Sequence, residues 1–139
     1  MIFYLVNVDY ERQTGEDNPG MVKESYLVPA VSCADAERIV LEHIKPYVFG
    51  DCETPQIKRV QFFDVFGAES LADNIWYKAK VEMITIDGDK ETHKAVNILI
   101  ASDWLCNASD RLCNELKSYN CEIVSIQKTA IVEILKPEV

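Results

Sequence analysis

Apolar and polar positions alternate over residues 2–11, placing Tyr4, Val6, Val8 and Tyr10 on one face of a predicted strand. Thr14-Gly15 and Asn18-Pro19-Gly20 then mark a loop over residues 12–21. A second strand is expected over 22–31, with Tyr26, Leu27 and Val28 at its apolar centre. Pro29 near its end favours an edge position or a bulge, because proline cannot donate to a ladder. Ala36, Ile39, Val40, Ile44 and Tyr47 recur at helical spacing, with Glu37, Arg38, Glu42 and Lys45 on the other face. That pattern predicts a helix to about Tyr47, N-capped by Ser32 or Asp35. Residues 56–66, rich in Val and Phe, read as a third strand, and 67–75 as a polar connector.

The pattern then restarts. Trp76-Tyr77-x-x-x-Val81 repeats Phe3-Tyr4-x-x-x-Val8. Strands are expected over 76–86 and 90–101, joined at Asp87-Gly88 in a type I′ turn that uses glycine's tolerance of positive φ. A second helix is expected from about Trp104 to Tyr119, with Leu105, Ala108, Leu112, Cys113 and Leu116 facing the core, and a last strand over 122–135. Ala36, Val40, Leu41 and Ile44 fall on Ala108, Leu112, Cys113 and Leu116, and Ile57-x-x-Val60-Gln61 falls on Ile123-x-x-Ile126-Gln127. The fold class is therefore α+β: two degenerate β-β-α-β repeats, mainly antiparallel sheet, with two helices packed on one face. The chain reads as one domain over 1–139, with repeat halves at about 1–67 and 76–139. A right-handed crossover lays each third strand beside the first of its half. The halves could then join into one six-stranded sheet or pack helix layer to helix layer.

Composition narrows the setting. The 139 residues carry a net charge of −9, a field that disfavours non-specific nucleic-acid binding. The odd count of five cysteines, with no C-x-x-C pair, argues against a secreted disulfide framework. The opening apolar run is too short for a signal sequence, and no run approaches the ~20 residues of a membrane span. The expectation is a cytoplasmic protein with reduced thiols and no membrane partner.

Several of these segments are similar to a known group. Phe3-Tyr4-x-x-x-Val8, Tyr26-Leu27-Val28-x-Ala30, Ala34-x-Ala36-Glu37, Ile57-Lys58-Arg59, Asp64-Val65-Phe66 and Trp76-Tyr77-Lys78-x-Lys80-Val81 occur in that order. Together they resemble a small DUF4494-like family of unknown function from Bacteroidota and their phages and prophages. The resemblance spans nearly the whole chain. It implies a phage or mobile-element setting in a bacterial host cell, and it transfers no catalytic residues. The cysteine-rich second helix departs from the family pattern, so no role is assigned to its thiols.

The residues offer little catalytic chemistry. Cys106 and Cys113 lie two helical turns apart, roughly 10 Å, too far to share a zinc ion; free cysteine more simply serves as a small hydrophobe. His43 and His93 fall in different halves, and no G-x-S-x-G elbow accompanies them. Asp87-x-Asp89 with Glu91 lacks the EF-hand spacing, and the five glycines form no phosphate loop. No catalytic residue, metal site or cofactor is expected. One surface stands out: hairpin register puts Lys78 and Lys80 on the same face as His93 and Asn97. A basic pair beside an imidazole and an amide suits an anionic small molecule or a carboxylate-rich partner; a solvated sheet face with cross-strand charge pairs accounts for the same residues. The leading expectation is a non-enzymatic interaction module with a protein partner, itself included, bound through strand edges or a sheet face. The alternatives are a sequestering protein for a nucleotide-like anion and a Cys/His-dependent hydrolase or transferase.

Overall fold

A computed structural model describes residues 1–13, 19–67 and 75–135 of the chain. The Thr14-Gly15 loop motif and most of the 67–75 connector lie outside the described residues. The described residues form a mixed α+β structure, mostly strand, with two sheets and two α-helices. It divides into an N-terminal unit, Ile2–Val60 with Ala130–Val139, and a C-terminal unit, Gln61–Thr129 with Met1.

In the N-terminal unit, β1 (Ile2–Gln13) and β2 (Pro19–Val28) form an antiparallel hairpin in which Tyr4 faces Val28 and Tyr10 faces Val22. Helix α1 (Cys33–Ile44) begins where the Ser32 side chain accepts the Asp35 amide, which satisfies one orphan donor of the first turn. A 3₁₀ turn extends it to Tyr47. Ala36, Val40 and Ile44 are buried against Val6, Val8, Tyr26 and Val28. Strands β3 (Val48–Cys52) and β4 (Gln56–Gln61) both pair with β1, and β9 (Ile131–Ile134) pairs in parallel with β2.

The C-terminal unit is built around the hairpin of β6 (Ile75–Asp87) and β7 (Lys90–Ser102). Of the two residues between the strands, Gly88 sits at φ +64 and Asp89 is not at positive φ. Positive φ at the first loop position alone belongs to the II′ pattern, not the expected I′. Helix α2 is shorter than expected, Leu105–Glu115. Its buried stripe is Ala108, Leu112 and Leu116, packed on Tyr77, Ala79, Val81, Ile98 and Ile100. Leu105 (51% exposed) and Cys113 lie outside the stripe, Cys113 because it turns about 100° from Leu112. Strand β8 (Cys121–Lys128) adds antiparallel to β6, and β5 (Asp64–Phe66) adds parallel to β7.

The expected third strands do lie beside the first strand of each hairpin, as β4 on β1 and β8 on β6. The strand predicted over 56–66 divides at Phe62-Phe63, and the one predicted over 122–135 divides at Thr129-Ala130. In each case the second piece belongs to the sheet of the other unit: β5 joins the C-terminal sheet and β9 the N-terminal one. Among the described residues the strands form two separate sheets, not one six-stranded sheet, and each helix packs on a face of its own sheet.

Candidate functional site

Tyr77, Ala79 and Val81 point toward α2, so the alternate residues of β6 face the other way. Register then fixes the rows of that face. Lys78 lies between Leu99 and Gln127, and Lys80 lies between Asn97 and Ser125. Lys78, Lys80, Asn97 and Gln127 are exposed, and Ser125 is half-buried. Neither lysine makes an ion pair among the described residues. The result is a strip of two ammonium groups flanked by two amides and a hydroxyl, all able to donate to an anion. The next row carries Glu82 opposite Glu122, so the strip ends abruptly in negative charge.

His93 does not belong to this strip. It pairs with Ile84, four residues beyond Lys80 on β6 and roughly 13 Å along the strand. Its Nδ1 lies 3.1 Å from Glu82 and its Nε2 3.3 Å from Glu91. The hydrogen bond to Glu82, with the charge of both carboxylates, holds the His93 pKa above the usual imidazole range. The structure thus unites Lys78, Lys80 and Asn97, and places His93 with two acids.

Ser125 and Gln127 were not singled out from the sequence. Their placement depends on a bulge in β8, where register slips between the Lys80 and Val81 pairs and Val124 is left as the extra residue. No local pattern announces that slip.

A second polar cluster also escaped the sequence reading. Glu24 lies in phase with Val22, Tyr26 and Val28, on the α1 side of the N-terminal sheet, facing Val8. Its side chain is only 14% exposed. It accepts the hydroxyls of Tyr10 and Tyr26 and meets Arg12 at 3.4 Å. Burial, then the hydrogen bond to Glu24 and its charge, pushes the Tyr10 pKa up to about 12. Burial first and the Glu24 charge next raise Tyr26 as well. The Arg12 guanidinium also lies over the Tyr47 ring, 4.5 Å from its centroid. Each group here has a partner, so the cluster reads as a satisfied structural network. An acid in phase with apolar residues was the available signal.

The remaining candidates stay apart. Among the described residues no group of His, Cys, Asp and Glu is arranged to hold a metal. All five cysteines are free thiols. His43 contacts Glu133 at 3.5 Å and the edge of Tyr26, and His93 its two glutamates, so neither imidazole hydrogen-bonds a thiol among the described residues. Among the described residues no helix is long and apolar enough to cross a membrane.

A family model described as a domain of unknown function, DUF4494, matches residues 2–138. This chain belongs to the DUF4494 family. No curated protein and no solved structure matches it significantly. The DUF4494 description names no activity.

Proposed function

We propose that this DUF4494 protein is a non-catalytic interaction module that associates with copies of itself through open strand edges, in the phage or mobile-element setting its resemblance implies. The observation that carries this reading is the reach of the β6–β7 hairpin beyond its neighbours. Strand β8 pairs with β6 only as far as Met83, and β5 covers β7 only over Ile98–Ile100. The Asn97 carbonyl accepts the Phe63 amide, so its backbone points away from β6. Alternation then aims the backbone groups of Ala95, His93 and Glu91 outward too. Side chains from Lys90 to Ala95 are all exposed. Among the described residues no strand pairs with this stretch of β7, and such an edge of amides and carbonyls is a template for another strand.

Light scattering at micromolar concentration should report a dimer or larger. Ala95→Pro removes one outward N–H and leaves the β6–β7 ladder intact, so it should shift the protein toward monomer without loss of its circular dichroism. A wild-type monomer at every concentration tested would overturn self-association.

The Lys78–Lys80 strip favours a second reading, sequestration of a nucleotide-like anion. Two ammonium groups with no ion pair among the described residues lie beside Asn97, Ser125 and Gln127, whose amides and hydroxyl can also donate to an anion. Titration calorimetry with nucleotides should show saturable binding that Lys80→Glu abolishes. Absence of heat with every nucleotide sinks this reading.

A further inference from the structure

The chain already shows how a strand docks on these hairpins, and it does so twice in one register. On β7, Asp64 pairs with Ile98, Val65 with Leu99 and Phe66 with Ile100. On β2, Glu133 pairs with Tyr26 and Ile134 with Leu27, and the Leu135 amide donates to the Leu27 carbonyl at 2.9 Å. Tyr4 faces Val28 as Tyr77 faces Ile100, so Leu27 and Leu99 are equivalent positions, both fully buried. Each acceptor edge therefore takes a parallel acid–aliphatic–large apolar segment: Asp-Val-Phe in one case and Glu-Ile-Leu in the other. Each segment comes from the opposite half of the sequence. This is the connectivity that results when two copies of one unit trade their last strands and are then fused.

We propose that β9 is an exchangeable strand, and that a second copy of this chain supplies it to the β2 edge while receiving one in return. This rests on the self-association reading and adds the β2 edge to the open β7 edge as a second place where copies meet. The occupant is a copy of the chain because only the donor's own pattern is shown to fit the edge. Among the described residues docking is short, with three paired positions and an irregularity between Ser25 and Tyr26. Leu135 is the buried anchor among them and seats in the core of the N-terminal unit. The strand leaves β8 through Thr129-Ala130 alone, with Thr129 tied to the Trp76 carbonyl at 2.9 Å through its amide and 2.7 Å through its hydroxyl. A short anchored connector is the usual hinge of strand swapping, and the swapped dimer keeps every contact that the monomer makes.

The test uses the full-length chain with its five cysteines replaced by serine, and with Ser25→Cys and Ile131→Cys added. These two residues are partners across β2 and β9. A short thiol-specific cross-linker is applied to the native protein, which is then run on a denaturing gel. Exchange predicts covalent dimers in the proportion that light scattering reports for the native sample. Cross-linked monomers from a dimeric sample overturn the exchange and leave self-association standing. A sample that is monomeric throughout overturns both. If the multiple variant does not fold, dilution of the wild-type dimer decides. A swapped dimer releases monomer slowly, and at least tenfold faster in mild denaturant. Re-equilibration within seconds in buffer alone overturns the proposal.

Discussion

At the scale of single residues, the consequential one is Glu24. It places a carboxylate among apolar neighbours, where Arg12 and two tyrosine hydroxyls satisfy it. Glu24→Leu strands two buried hydroxyls and should cost roughly 2–4 kcal/mol, with Glu24→Gln costing less; urea denaturation measures both. The tyrosines add a pH dependence. Tyr10 keeps its proton to about pH 12 in the folded protein, whereas the unfolded chain gives it up near the ordinary value of 10.0. The native state then binds more protons than the unfolded state in that window, so stability is intact below pH 10 and falls as pH rises toward 12. Tyr10→Phe should flatten that fall, as read from urea midpoints across the range. Residue identity and strand alternation were enough to put Lys78, Lys80 and Asn97 on one face. His93 lies on that face too, two rows beyond Lys80 and against Glu82 and Glu91.

At the scale of elements, caps and turns obey local chemistry. Ser32 caps α1, and Ser32→Ala should lower stability by about 1 kcal/mol. Gly88 occupies the left-handed region, so Gly88→Val should cost about 1–2 kcal/mol, visible as a lower thermal midpoint. Helices were legible because the 3.6-residue period of Ala36, Val40 and Ile44, or of Ala108, Leu112 and Leu116, needs only local sequence. Strand breaks were not. Phe62-Phe63 carries no turn residue, yet the chain leaves one sheet there and enters another. Strand β3 was also missed, since Val48–Cys52 is held by its pairing with Tyr10 and Arg12 and not by a pattern of its own.

At the scale of the molecule, each sheet contains a strand from the other half of the chain, so neither half holds a complete unit. Unfolding should therefore be a single transition, with far-ultraviolet circular dichroism and the fluorescence of buried Trp76 coinciding in urea. Two separated transitions would show that the units unfold independently. Copies carrying −9 repel one another at long range. Self-association should accordingly strengthen as added salt shortens the Debye length from about 30 Å at 0.01 M to about 10 Å at 0.1 M. Sequence alone determined the α+β class, the two hairpins, the two helices and the lysine face, because each follows from a short-range period or a turn residue. Tertiary structure alone decided where β5 and β9 pair, that Ser125 and Gln127 flank the lysines, and that Glu24 is enclosed. Those outcomes depend on backbone groups distant in sequence finding partners, and no local pattern encodes which distant edge a strand will meet.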